Sequence, residues 1–409
     1  MGKTNRIGLE NLNPSSGKER MHVLDAMRGF ALFGIILVNM YYFSGYRYFS
    51  PESFSTYAID ENTLFYVNFF ALSKFYSLFS FLFGLGFAVQ LSRVAEKGQA
   101  FLPVYLRRLG LLFIFGLLHT FIWHGDILTV YALAALFLIP FRNAGNRVVL
   151  LFAGFLLISP VILDALMSTG NISPGQALTE FGNRLKTEWN LPNNSTIISS
   201  GGFQVFFLSK ITSSLERYAI LLEGNRFPKL LGMFLIGFYF GKNKLFANPS
   251  ANKSFFIKVC ACFGVIGLLF SVAGVQLNKM PVFESSILNS AFYNLINILG
   301  VHPFSLAYMA GFTLLFVHPA FQKALLLLAP AGRMALTNYL MQSVFGVMLF
   351  YNIGFGLGPV GPSIYIPVAI LLFAFQVLYS TIWLKRYKFG PLEWLWRNGI
   401  YGKIQPIRR

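Results

Sequence analysis

Leu24-Asp25-Ala26-Met27-Arg28-Gly29-Phe30-Ala31-Leu32-Phe33-Gly34-Ile35-Ile36-Leu37-Val38-Asn39 opens the first long apolar run of the chain. The run continues to about residue 45, the length of a membrane crossing, yet it holds an arginine near its start and an asparagine further on. As a helix rising 1.5 Å per residue it separates Arg28 from Asn39 by ~16 Å. Polar groups at such depth are costly without partners and mark functional sites. The groups that hold Arg28 and Asn39 are therefore expected to form the working site.

The same pattern recurs along the chain. Of 409 residues, 55% are hydrophobic and 12% charged, half the roughly 25% charge of a soluble domain. The apolar runs are continuous rather than alternating, which excludes a membrane β-barrel and leaves helices. The expected fold class is all-α, a polytopic membrane helix bundle. Its ten spans fall near 24–45, 63–91, 107–123, 126–142, 147–169, 227–241, 254–276, 304–322, 333–352 and 363–384. A formal charge of +18 raises the question of nucleic acid, but most Lys and Arg sit in short connections between apolar runs. That is the positive-inside distribution; it puts both termini in the cytoplasm and argues against a nucleic-acid partner. Cys260 and Cys262 lie two apart in one run, where helical side chains diverge, so no disulfide is expected and they read as buried filler.

The domain plan is a cytoplasmic N-terminal segment (1–23), one transmembrane domain (24–384) and a basic cytoplasmic tail (385–409). No cleavable signal sequence is visible at the N-terminus. The outer loop 170–202, rich in Asn, Ser, Thr, Gly and Pro, reads as a flexible cap. Residues 203–225 mix apolar stretches with Lys210, Glu216, Arg217 and Glu223. Counting them as a span inverts everything downstream, so they read as an outer re-entrant or interfacial helix. The stretch 284–300 reads either way.

The densest polar cluster at membrane depth is His119-Thr120-Phe121-Ile122-Trp123-His124-Gly125-Asp126, where two spans meet through a short outer turn. Asn39, His119, His124 and Asp126 are expected to share one pocket there. A histidine held by a carboxylate is a general base suited to neutral pH, and an asparagine amide can donate to a developing oxyanion. Each residue also has a plainer reading: a helix-packing hydrogen bond for His119, an interfacial anchor for His124 and a helix cap for Asp126. Arg28 either snorkels to headgroups or meets an anionic ligand, with Asp25 three residues back as its partner. Asn338 and Gln342 share a helix face that either lines an inner vestibule or joins helices. Glu216, Arg217 and Arg226 are expected to pair among themselves, while His302 and His318, each before a proline, read as structural. No phosphate loop, zinc-ligand spacing or nucleophile elbow is present, and no metal is expected.

The chain resembles the YeiB-like family of bacterial multi-pass membrane proteins. The likeness is carried by Leu24–Asn39, by Lys74-Phe75-Tyr76-Ser77-Leu78-Phe79-Ser80-Phe81-Leu82-Phe83-Gly84-Leu85-Gly86, and by Arg107-Arg108-Leu109 through His119 to Gly125-Asp126-Ile127-Leu128. The C-terminal half adds Gly332-Arg333-Met334-Ala335-Leu336-Thr337-Asn338-Tyr339 and Phe389-Gly390-Pro391-Leu392-Glu393-Trp394-Leu395-Trp396-Arg397. That family looks like a branch of the transmembrane acyltransferase superfamily, which moves acyl groups from cytoplasmic acyl-CoA to acceptors across the membrane. The resemblance aligns Arg28 with the superfamily's arginine. It sets Asn39 where the O-acetyltransferase branch keeps its catalytic histidine, which puts the identity of the base in question.

The resemblance thus implies an acyltransferase of the bacterial inner membrane. Its donor is acyl-CoA, acetyl-CoA in the first instance, docked near Arg28 and Arg333. Its acceptor is an outer-face glycan or small molecule, and its base is His119, oriented by Asp126. Glu216, Arg217, His124, Asn338 and Gln342 complete the expected contacts. Membrane lipids are the surrounding partner, and self-association is left open. A small-molecule transporter using the same polar groups, or a scaffold or sensor without turnover, are the alternatives; no internal repeat of the kind transporters show is visible.

Overall fold

In lipid, backbone N–H and C=O groups must be satisfied within the segment that carries them, so long apolar runs become helices. The computed structural model describes residues 21–409 apart from 51, 53, 55, 97–100 and 278–286; the N-terminal segment up to residue 20 lies outside the described residues. The first half comprises α1 (His22–Phe43), α2 (Tyr57–Phe70), α3 (Lys74–Glu96), α4 (Phe101–Thr120), α5 (Leu128–Leu136) and α6 (Asn146–Thr169). Three helices follow before the next apolar segment: α7 (Gln176–Glu188), α8 (Asn194–Ser200) and α9 (Phe203–Glu223). The second half runs through α10 (Arg226–Lys242), α11 (Lys253–Leu277), α12 (Ile287–Val317), α13 (Pro319–Leu326) and α14 (Ala329–Arg333) to α15 (Ala335–Phe350), α16 (Pro362–Arg386) and α17 (Pro391–Tyr401). No strand occurs among the described residues; one isolated bridge joins Tyr387 to Arg408.

All ten expected segments are helical. Among the described residues, seven helical stretches are long and apolar enough to cross a membrane: His22–Tyr48, Tyr57–Val94, Phe101–Thr120, Asn146–Thr169, Lys253–Leu277, Ala291–Val317 and Pro362–Arg386. The other three, α5, α10 and α15, have 9, 17 and 16 residues; α10 is at the low end of the roughly 17–25 that a crossing takes, and α5 and α15 fall below it. Pro140 helps to end α5, which passes into a 3₁₀ turn over Ile139–Asn143.

Three further differences from expectation have local causes. The segment 170–202 carries two helices, α8 being capped where the Asn193 carboxamide accepts the Thr196 N–H at 2.9 Å. The span expected at 63–91 breaks at Ala71–Ser73, where Ser73 adopts a left-handed φ of 63°. And 287–300 is not a separate outer helix but is continuous with the following span through Pro303; 284–286 lie outside the described residues. Close to this proline, the Ser271 hydroxyl of α11 donates to the Gly300 carbonyl at 3.3 Å and ties the two helices together.

Two close crossings set the frame. At α3 against α10, a Cβ on Gly84 would lie 1.8 Å from the Phe234 carbonyl oxygen, and one on Gly237 would lie 1.9 Å from that of Phe81. At α1 against α14, a Cβ on Gly332 would meet the Asp25 carbonyl oxygen at 1.8 Å. Only glycine allows backbones to approach so closely, the usual device of membrane helix pairs. Around these crossings α1, α3 and α12 are largely enclosed. By contrast α6, α11 and α16 present Leu151, Phe155, Leu269 and Leu371 outward, an apolar belt suited to lipid. Both cysteines are free, Cys260 half-buried and Cys262 exposed on α11, so the expectation of two buried cysteines holds for neither in full.

Candidate functional site

Because α14 presses on α1 through Gly332, the next residue, Arg333, is set at the same end of the bundle as Arg28. Both border a cavity of about 810 Å³. At this end the wall also carries Arg93 of α3, Arg108 of α4, and Glu393 and Arg397 of α17. Arg28 forms an ion pair with Asp25 at 3.0 Å. The Arg108 guanidinium stacks over the Trp396 ring at 4.9 Å, and its buried Nε has no partner. Arg333 donates to the Lys388 carbonyl at 3.4 Å.

The middle of the cavity is apolar and aromatic, with Ile35, Phe75, Phe79, Leu82, Phe83 and Leu112 on its wall. Beyond them the lining turns polar again at Asn39, Tyr76, Trp123, His124, Arg217 and Arg226. Among the described residues of the lining, arginine is the basic residue type besides His124, and no lysine occurs.

The expected four-residue pocket divides in two. Asn39 and His124 border the cavity; His119 and Asp126 do not. His119 is fully buried and both ring nitrogens are engaged: Nδ1 with Asp126 Oδ1 at 2.8 Å and Nε2 with Ser343 Oγ at 2.8 Å. The second Asp126 oxygen accepts the Thr129 N–H and hydroxyl, both at 2.8 Å. This closed network ties the turn after α4 to α5 and α15.

His124 differs. Its Nε2 lies 3.5 Å from the Tyr48 hydroxyl, a long contact, and its buried Nδ1 has no partner. Burial, and then the charges of Lys210 and Arg217, hold this imidazole well below its ordinary pKa, so it is neutral at physiological pH. Behind it lies a void of about 10 Å³ bordered by Tyr48, Lys210, Ser213 and Tyr351, at the lower limit for one water.

Asn338 and Gln342 serve the plainer of their two readings. Asn338 Nδ2 donates to Ser380 Oγ at 3.0 Å and to the Ala331 carbonyl at 2.9 Å. Gln342 Nε2 donates to Gln376 Oε1 at 3.0 Å. Neither borders the cavity; together they join α15 to α16. The pairing expected among Glu216, Arg217 and Arg226 does not form, because the Glu216 carboxylate takes Lys186 of α7. Arg217 Nε stays buried without a partner. His302 receives or gives one hydrogen bond to Ser77 Oγ at 2.9 Å, and His318 caps α13, both structural as expected. Among the described residues no group of three metal-ligating side chains occurs.

Fold and cavity together define a multi-pass α-helical membrane protein with an arginine-lined chamber inside its bundle. The chain belongs to the YeiB-like family. Residues 240–403 match the family described as "Protein of unknown function (DUF418)". Similar relatives include "Uncharacterized protein YxaH" of Bacillus subtilis, 31% identical over 98% of this chain and 99% of the relative. An "Uncharacterized 39.9 kDa protein in amylase 3'region" of Bacillus acidopullulyticus is 30% identical over 97% and 98%. "Uncharacterized protein YeiB" of Escherichia coli is 27% identical over 93% and 96%. No solved structure matches the chain.

Proposed function

We propose that the protein is an acyltransferase of the bacterial inner membrane that carries an acyl group from cytoplasmic acyl-CoA to an acceptor at the outer face. One observation carries this reading: a single cavity with an arginine-rich end, an apolar middle and a second polar end that holds a neutral imidazole. The positive-inside distribution of Lys and Arg assigns the Arg28 end to the cytoplasm and the His124 end to the outside. Arg28, Arg93, Arg108 and Arg333 offer forked donors to the phosphates of the nucleotide. The apolar middle accommodates the pantetheine arm, which brings the thioester toward Asn39.

The base in this reading is His124 rather than His119, since the His119 nitrogens are both occupied away from the cavity. His124 takes the proton of an acceptor hydroxyl or amine as that atom forms a bond to the thioester carbonyl carbon. The carbon–sulfur bond then breaks, and the CoA sulfur leaves with the proton returned by the imidazolium. Asn39 donates to the carbonyl oxygen as its charge develops.

The test is performed on purified protein in nanodiscs. Acetyl-CoA binds with saturation, Arg93→Gln and Arg108→Gln weaken it, and His124→Gln leaves binding intact while abolishing acyl transfer. Absence of any saturable acetyl-CoA binding by the native chain removes the reading. Exchange of a radiolabelled small molecule across sealed vesicles, without CoA release, would support a transporter in its place.

A further inference from the structure

The outer end of the cavity carries two arginines and several buried donors that have no partner. Arg217 and Arg226 border it together, and the carboxylate that the described residues place there, Glu216, is already held by Lys186. The Trp123 indole N–H and the Arg217 Nε–H are buried with no partner, as is the Tyr76 hydroxyl. Trp123 itself is only 4% exposed. An unmet buried donor is costly, and native proteins leave few of them. Three at this end of the chamber, two of them bearing only N–H groups, indicate a ligand that brings acceptor oxygens. A guanidinium fork and an indole N–H lining one cavity fit the oxygens of an oxyanion better than those of a neutral sugar.

We infer that the His124 end of the cavity binds a phosphate group, with Arg217 and the Trp123 N–H as its principal donors and Arg226 as a second cation. The acceptor, on the reading that the protein transfers acyl groups, is then a phosphorylated alcohol: a soluble polyol phosphate or the headgroup of an anionic phospholipid. Its phosphate rests on Arg217, and its hydroxyl is presented to His124. Burial, and then the charge of the neighbouring Arg226, push the Arg217 guanidinium down in pKa, which a bound anion would offset.

The experiment needs no acyl donor, so it stands or falls separately from acyl-CoA binding. The full chain, purified in lipid-free detergent, is titrated with inorganic phosphate and with glycerol 1-phosphate at constant ionic strength, and thermal unfolding is followed. Saturable stabilisation is expected from both, and none from glycerol. Arg217→Gln weakens it roughly tenfold or more, the size of a lost charged hydrogen bond, while Arg93→Gln at the other end leaves it unchanged. Trp123→Phe keeps an aromatic ring and removes the N–H; it weakens binding several-fold and serves where Arg217→Gln does not fold. Reconstitution with phosphatidylglycerol distinguishes the sources: a lipid headgroup in the site blocks glycerol 1-phosphate, and a soluble ligand's site stays open. Absence of saturable binding overturns the inference, and so does binding that survives both outer variants but falls in Arg93→Gln.

Discussion

His119 Nε2 lies 2.8 Å from Ser343 Oγ, a residue 224 positions away, and this contact closes the last free valence of a buried imidazole. With Nδ1 already on Asp126, His119 holds two helices and a turn together. Removing one partner from a buried polar pair leaves the other unmet and costs about 3–5 kcal/mol when that partner is charged. His119→Ala is therefore expected to destabilise by that order in thermal unfolding, with acetyl-CoA affinity retained in the fraction that folds. A variant that unfolds like the native chain but fails to turn over would return His119 to the role of base.

The α3–α10 crossing makes an equally direct forecast. Gly84→Ala places a methyl 1.8 Å from a backbone oxygen, which no side-chain rotation relieves. Overpacking of this kind costs about 1–3 kcal/mol. A Cβ on Gly86, two residues on, would meet nothing within 4 Å. Gly86→Ala is expected to lose nothing and to gain up to about 1 kcal/mol of helix propensity. Equal unfolding midpoints for the two variants would show that the two backbones can part at this crossing without cost.

Lys210 gives the pH dependence. Its ammonium lies over the Phe206 and Tyr351 rings at 4.4 and 4.6 Å, and burial pushes its pKa from 10.5 down to about 7. The folded value lies below the unfolded one, so between those values the unfolded chain holds the extra proton and stability rises with pH. Below pH 7 the charge is present in both states and the cost of burying it is complete. Lys210→Met is expected to be the more stable protein at pH 6.5, by on the order of a few kcal/mol, with the advantage shrinking toward pH 10. An advantage independent of pH would assign the effect to packing alone.

How far the sequence reaches can be seen residue by residue. Apolar run length is a local property, so all ten helical segments are legible, as is the placing of Arg28 and Asn39 on one wall. The partners of His119 are not, because Ser343 reaches it only through the packing of α15. Arg93 and Arg108 are hidden for a different reason: near span ends, a cation meant for a ligand looks like one that fixes topology. The difference lies in residue type, since among the described residues the cavity uses arginine and no lysine, whereas the remaining connections use both. Trp123 and Tyr76 carry no signal at all, as a lone aromatic at an interface is ordinary. The three short helices show the limit of counting, because enclosure by neighbours lets a segment fall below spanning length.

Glu393 joins stability to the cavity. One oxygen accepts the Leu336 and Thr337 N–H groups at 2.7 and 3.1 Å, and the other accepts the Thr337 hydroxyl at 2.6 Å. A carboxylate from α17 thus caps α15, where the helix dipole favours a negative charge. The same helix supplies Trp396, Arg397 and Tyr401 to the arginine-rich end of the cavity. Glu393→Ala is expected to cost about 1–2 kcal/mol, the scale of a lost cap, and to weaken acetyl-CoA binding by loosening α17. Glu393→Gln keeps one acceptor oxygen for the two N–H groups and should fall between. If the alanine variant lost stability while binding acetyl-CoA as the native chain does, α17 would be a brace for α15 only, and the nucleotide would have to rest on Arg28, Arg93, Arg108 and Arg333 without help from α17.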